Sequence, residues 1–208
     1  SIISYTGNAS ASQSVAHGLG VAPSMIIVKK RSAAGGWVSW HKSLSGGSGG
    51  YIYLSSTSAA GVTSGYWGSS VPSSTTFGVW SNGGDNNENG STFIAYCFAE
   101  KQGYSKFGSY IGNGNDGSTI WCGFSPAFIM IKLTSGAGED WKIYDDKRLG
   151  YNAANKSLAA NTNAADSNSN ISIDILSSGF KNRNTSGALN SSGATYIYYA
   201  VASNPFTT

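Results

Sequence analysis

Short apolar runs, separated by glycine, serine and asparagine, set the rhythm of this chain. Met25 to Lys29 (MIIVK) is the most apolar run of the first half, and its β-branched residues predict a buried central strand. Further short runs predict strands at 2–7, 12–17, 37–41, 51–54, 75–80 and 92–100, then at 109–112, 119–122, 128–132, 141–144, 171–176, 180–183 and 195–202. Trp37 to His41 alternates bulky and small residues, as a half-buried strand does. Between Thr92 and Glu100, Phe93, Ala95, Cys97 and Ala99 share one face and Ile94, Tyr96 and Phe98 the other; both are apolar, which predicts a strand covered on both sides. Gly18, Gly20 and Pro23 mark a bend, and the SGGSGG tract from Ser45 to Gly50 a flexible loop. NGGDNNENG from Asn82 to Gly90 carries Asn-Gly at both ends and predicts a hairpin connection. Only Asn152 to Ala165 has helical composition, and its asparagines limit it to a turn or two. About fourteen short strands with almost no helix predict an all-β fold, an antiparallel β-sandwich of the jelly-roll or lectin-like kind.

The pattern runs twice. TFIAYCFAE at Thr92 to Glu100 returns as TYIYYAVAS at Thr195 to Ser203, and SYTGN at Ser4 to Asn8 returns as SYIGN at Ser109 to Asn113. Pro23 then aligns with Pro126, Trp37 with Trp141, Leu54 with Leu158 and Phe77 with Phe180, at separations of 103 to 105 residues. A repeat has to be settled before any motif is interpreted. The expected organisation is two copies, 1–104 and 105–208, forming one compact β unit in which they share one core or pack tightly, because no linker separates them. A residue type kept in both copies serves the scaffold; one found in a single copy is free for another role.

Charged residues make up only 11% of the 208, far below the roughly 25% of ordinary soluble domains. Serine, asparagine, threonine and glycine must supply solubility, which suits an extracellular or virion surface. The net charge is +3, but the thirteen Lys and Arg are scattered, with Lys29-Lys30-Arg31 the only local run. Phosphate-tracking proteins concentrate such residues on one face, so nucleic-acid binding is not expected. No apolar run approaches the roughly 20 residues that span a bilayer, so neither is membrane insertion. The opening SIISYTGN belongs to the repeat and does not read as a signal peptide, and a start on Ser fits a fragment or a processed product. Cys97 and Cys122 align with Ala200 and Leu19, which predicts buried free thiols in packed positions.

Few residues present a chemical constellation. Glu139 or Asp140 with Asp145 or Asp146 could form a glycosidase pair, which needs carboxylates about 5 to 10 Å apart, though solvated loop ends explain them as well. His17 and His41 align with Ile120 and Asp145 and lie in no metal-ligand spacing; His41, beside Trp40 and Lys42, is a surface residue or a ligand contact. Asp85, Asn87 and Asn89 fit the first half of a calcium loop, but Tyr96 stands where the bidentate Glu belongs, so metals and cofactors are not expected. Aromatics are 12% of the chain. Trp37 with Trp141, Trp40 with Tyr144 and Tyr96 with Tyr199 are shared and therefore scaffold. Tyr66, Trp67, Trp80 and Trp121 lack aromatic twins and lie near polar loops, which makes them the candidates for a sugar-stacking surface.

The strings SYTGN, HGLGVAPSMIIVKKR, WHKSL, TFIAYCFAEKQGYSKFGSYIGNG, FSPAFIMIKLTSG, WKIYDDKR and TYIYYAVASNPF carry a resemblance that covers nearly the whole chain. It resembles a duplicated domain of tail-fibre and other virion-associated proteins of bacteriophages, especially those of aquatic bacteria. The resemblance implies an extracellular virion appendage for host attachment. Its partners would be a host-surface glycan or protein, other virion proteins and further copies of itself, as a trimer. It brings no catalytic or ligand residues with it, and the chain has no heptad or collagen-like segment to drive trimerisation. Three roles follow from the sequence: a non-enzymatic glycan- or protein-binding domain, a structural or decoration subunit, and a polysaccharide depolymerase.

Overall fold

The structure is a computed structural model that describes residues 1–80, 84–148, 152 and 154–206. Two compact units divide the chain: Ser1–Ser55 with Ala60–Ala99, and Ser56–Ala59 with Glu100–Thr208. The boundary falls between Ala99 and Glu100, a few residues before the one expected from the repeat.

The first unit holds β1 (Ile2–Thr6), β2 (Gln13–Ala16), β3 (Met25–Lys30), β4 (Trp37–His41), β5 (Gly50–Tyr53), β6 (Gly61–Val62), β7 (Thr76–Val79) and β8 (Thr92–Phe98). A six-stranded sheet runs β1-β8-β3-β4-β5-β6, and β2 pairs with β7 in a second, two-stranded sheet. The second unit holds β9 (Ser105–Ile111), β10 (Thr119–Trp121), β11 (Pro126–Leu133), β12 (Lys142–Asp145), β13 (Ala154–Ala159), β14 (Ser167–Leu176), β15 (Gly179–Asn182) and β16 (Thr195–Ala202). Its one sheet of eight runs β10-β15-β14-β13-β12-β11-β16-β9. Every pairing is antiparallel. The fold is all-β, and its antiparallel sheets are consistent with a β-sandwich.

The apolar runs become inner strands because each finds a neighbour on both edges. β3 lies between β8 and β4 and is buried at five of its six positions, as MIIVK predicts. In the first unit, Ile26 and Val28 from β3 and Phe93 and Ala95 from β8 pack against Phe77 and Val79 from β7. In the second, Ile129, Ile131, Tyr196 and Tyr198 pack against Ile120 and Phe180. Among the described residues, the buried apolar side chains form two clusters, one inside each unit.

The tyrosines of the SYTGN and SYIGN strings occupy matching places. Tyr5 stacks on Phe93 at 5.2 Å and meets Phe77 edge-on, while Tyr110 stacks on Tyr196 at 5.0 Å and meets Phe180 edge-on. The Tyr5 hydroxyl donates to the Asn86 carbonyl at 2.6 Å and the Tyr110 hydroxyl to the Leu189 carbonyl at 2.8 Å. Asn8 and Asn113 each donate a backbone N–H to a buried amide oxygen, of Asn87 and Asn190, at 3.0 Å.

Several local expectations are corrected. The segment 154–165 is no helix, and Ala153 lies outside the described residues: β13 occupies 154–159, because pairing with β12 and β14 outweighs the helix propensity of alanine. The SGGSGG tract is not a free loop: Gly47–Gly49 forms a 3-10 turn whose Gly47 carbonyl accepts the Trp40 indole N–H at 3.0 Å. The segment 82–90, of which Asn82 and Gly83 lie outside the described residues, is not a hairpin, since β7 pairs with β2 while β8 pairs with β1 and β3. β8 buries Phe93, Ala95 and Cys97 but leaves Ile94, Tyr96 and Phe98 only half-buried. Cys97 and Cys122 are free and buried, as expected.

Candidate functional site

β10 is three residues long, and alternation decides its chemistry: Ile120 points into the core while Trp121 stands 68% exposed. Its backbone is fixed from several sides. Trp121 lies opposite Gly179, where a Cβ would collide with the Ile120 carbonyl, so glycine lets β10 and β15 approach. Cys122 and Gly123 both donate N–H groups to the Ser178 carbonyl, at 2.8 and 3.0 Å. The Tyr198 hydroxyl donates to the Trp121 carbonyl at 3.3 Å. A flat apolar ring is therefore held in water on a rigid strand.

Trp121 borders a cavity of about 530 Å³ lined also by Glu100, Gln102, Gly103, Ser105, Lys106, Cys122, Gly123 and Phe124. That size lies within the ~300–1,000 Å³ usual for small-ligand sites. β9 and β10 are the two edges of the eight-stranded sheet, and both contribute to the cavity walls. Two edges that do not pair with each other leave a groove between them. Lys106 Nζ stands 2.8 Å from Glu100 Oε1, and the Phe107 N–H donates to Glu100 Oε2 at 3.3 Å. Beside Gly103, Tyr104 stacks on Phe206 at 5.6 Å with both rings exposed. Burial pushes the Cys122 thiol up to about 12 despite nearby Lys106 and Tyr198, which keeps it protonated near neutral pH. An exposed indole, an ion pair and an exposed amide can together hold a ring with one apolar face and a hydroxylated edge.

Of the four aromatic candidates, Tyr66, Trp67 and Trp80 belong to the first unit and Trp121 to the second. Trp67 is fully buried and Tyr66 nearly so; both belong to the first unit's core, where Tyr66 stacks on Tyr51 at 4.4 Å and Trp67 meets Phe77 at 6.5 Å. Neither offers a face to a ligand. Trp80 is half-buried and lies over Gly65, where a Cβ would come within 2.6 Å of its ring. His41 is buried rather than at the surface, its Nδ1 accepting the Ser43 N–H at 3.1 Å. His17 is buried likewise: its Nδ1 accepts the Leu19 N–H, so its Nε2 donates to the Ser73 carbonyl.

The calcium candidates point to different partners. Asp85 accepts the Gly36 N–H at 2.8 Å and the Tyr53 hydroxyl at 2.9 Å, buried Asn87 binds Asn8 and Ser10, and Asn89 is exposed. These are loop-closing contacts, not a converging oxygen shell. The carboxylates of the glycosidase reading are likewise engaged. Asp140 holds Asn161 and Lys142, Asp145 is bound by Arg148 at 2.6 Å, and Asp146 by Lys147. Burial works to raise the Asp145 pKa, but the Arg148 guanidinium and two backbone N–H groups outweigh it and hold it below the usual carboxylate range. Asp145 ends β12 and Asp140 lies two residues before its start, so five residues at about 3.3 Å each put their Cα atoms roughly 16 Å apart, a poor match to a pair whose carboxyl groups lie about 5 to 10 Å apart. A smaller cavity of about 280 Å³ touches Asp145, Asp146 and Asn204 but adds no second pair.

Of the nine groove-lining residues, five (Glu100, Gln102, Gly103, Ser105 and Lys106) come from the string FAEKQGYSKFGSY. That string was legible as distinctive, yet nothing in it named Glu100 or Lys106 as site residues. Phe124 aligns with Val21 and so lacks an aromatic twin, the same signal that singled out Trp121.

A family model matches residues 1–205. The chain belongs to that family, described as a domain of unknown function (DUF7483). The match runs across both units, so the DUF7483 domain is the pair and not one unit alone. No curated protein and no solved structure matches the chain.

Proposed function

We propose that this chain is a non-enzymatic phage virion surface domain, of the tail-fibre kind, that holds a host-surface glycan in the Trp121 groove. The carrying observation is Trp121 itself, a 68% exposed indole on a rigid strand at the edge of a 530 Å³ groove. A pyranose laid on that ring buries apolar surface on both partners, while Gln102, Glu100 and Lys106 meet its hydroxyls. Such recognition calls for no cofactor and no metal. The low charge and the resemblance to tail-fibre domains support an extracellular, virion-borne setting, with other virion proteins as neighbours. The shared strand order and the matched tyrosines support reading the two units as copies of one module, one of which acquired the groove. Binding of the full chain to a glycan array, lost in Trp121→Ala and retained in Trp80→Ala, is the expected result. Undiminished binding by Trp121→Ala would move the site elsewhere.

A second reading is a structural or decoration subunit. Ile2 and Ile111 favour it, being 67% and 68% exposed on β1 and β9, each an edge strand with one side unpaired. Light scattering discriminates: a stable trimer dissociated by Ile111→Lys, with no glycan bound, would favour this reading.

A further inference from the structure

The charge inside the groove indicates which glycans it takes. Its two ionic side chains face each other: Lys106 Nζ is 2.8 Å from Glu100 Oε1, and the second Glu100 oxygen accepts the Phe107 N–H. The other lining side chains, Gln102, Ser105, Trp121, Cys122 and Phe124, carry no charge, and Lys101, next in the chain, is not among them. Lys106 and Glu100 remain 37% and 29% exposed, so both can be touched from the groove. An arriving sugar carboxylate finds the one lysine already neutralised and a like charge at its side, an arrangement that rejects by repulsion. A neutral pyranose meets no such penalty. Its hydroxyls can donate to Glu100 and accept from Lys106 without breaking the pair, and its apolar face is free for Trp121.

We propose that the groove selects neutral glycans over chains bearing uronic or sialic acid, and that Glu100 is the residue that excludes the acidic ones. This rests on the glycan reading of the Trp121 groove. The geometry makes the exclusion a property of the ion pair rather than of groove shape, so it can be inverted by one substitution. Glu100→Gln keeps an acceptor near the Phe107 N–H but leaves Lys106 uncompensated, which turns an anion-rejecting groove into an anion-attracting one.

The test is tryptophan fluorescence of the full chain, titrated at low salt with chitotriose and maltotriose as neutral probes and with trigalacturonate and sialyllactose as acidic ones. Trp121→Ala identifies the signal that belongs to the groove. In the wild type, at least one neutral probe should quench saturably and bind about tenfold or more tighter than either acidic probe. Glu100→Gln should raise acidic binding about fivefold or more, fading as salt is added, while neutral binding holds. Lys106→Met, which removes the cation beside the carboxylate, should weaken acidic binding further, and it decides the matter should Glu100→Gln fold poorly. Wild-type preference for an acidic probe, or an unchanged preference in both variants, overturns the inference while leaving the glycan reading in place. Silence of the groove signal with all four probes defeats both.

Discussion

Tyr110 donates its hydroxyl proton to the carbonyl of Leu189 at 2.8 Å while its ring stacks on Tyr196. One side chain thereby joins the edge strand β9 to the loop ahead of β16, and Tyr5 does the same in the first unit by way of Asn86. Removing either hydroxyl leaves a carbonyl short of a donor. Tyr5→Phe and Tyr110→Phe should each cost about 1–2 kcal/mol, read as lower urea midpoints with unchanged slopes. The Leu189 carbonyl also receives Asn182 Nδ2 at 3.4 Å, so Tyr110→Phe should be the milder of the two.

Trp67 and Trp121 should behave as opposites. Trp67 is fully buried between Tyr66 and Phe77, and Trp67→Ala opens a core cavity, costing about 3–5 kcal/mol. Trp121→Ala removes a ring that is mostly in water and should shift stability by no more than about 0.5 kcal/mol. Thermal unfolding of the two variants checks this, and a large loss in Trp121→Ala would recast that ring as structural.

The contrast explains what the sequence could and could not reveal. Strand positions were legible because a two-residue apolar period punctuated by glycine has one physical solution, a half-buried strand. β13 was not, since NAANKSLAA carries no such period and becomes a strand only through its neighbours β12 and β14. The lack of an aromatic twin marked Trp67 and Trp121 alike. It reports that the scaffold does not need the ring twice, and says nothing about which face of the strand or loop the ring takes. Glu100 and Lys106 were missed for a related reason: their neighbours Trp121 and Phe124 arrive only when the sheet brings its two edges, β9 and β10, around one groove.

Both cysteines should be inert in the folded protein. Burial pushes the Cys97 thiol up to about 11 and the Cys122 thiol up to about 12, so at pH 8 the reactive thiolate is about one part in a thousand or less. A disulfide reagent should label neither until guanidinium unfolds the chain, and then both. Rapid native labelling of Cys122 would mean that the groove opens.

Burial holds the hydroxyls of Tyr5, Tyr110, Tyr144 and Tyr198 neutral well beyond the usual tyrosine range. A folded pKa above the unfolded one stabilises fully below about pH 10 and is lost as the pH climbs past it, because the unfolded chain ionises first. Tyrosinate absorbance from these residues should therefore appear together with unfolding rather than before it.

Lys132 runs the other way. It is fully buried on β11, its ammonium donating to the Leu133 carbonyl at 2.9 Å and the Thr57 carbonyl at 3.4 Å. Burial lowers its pKa to about 8, with Glu139 and Asp140 opposing part of that fall. Between about pH 8 and 10.4 the unfolded chain binds the proton that the folded one has released, so stability from this group rises with pH there, and the full penalty stands below pH 8. Lys132→Met removes the penalty but leaves two carbonyls with one donor fewer. The net gain at pH 7 should be about 1–2 kcal/mol, because replacing a buried ion with an apolar side chain of similar volume is commonly stabilising and the orphaned acceptors offset part of it. Urea midpoints at pH 7 and pH 9.5 separate the two effects: the advantage of Lys132→Met should shrink at the higher pH, where wild-type Lys132 is largely neutral. If Lys132→Met is the less stable protein at pH 7, the hydrogen bonds to Leu133 and Thr57 outweigh desolvation, and the ammonium is a fastening of the fold instead of a burden on it.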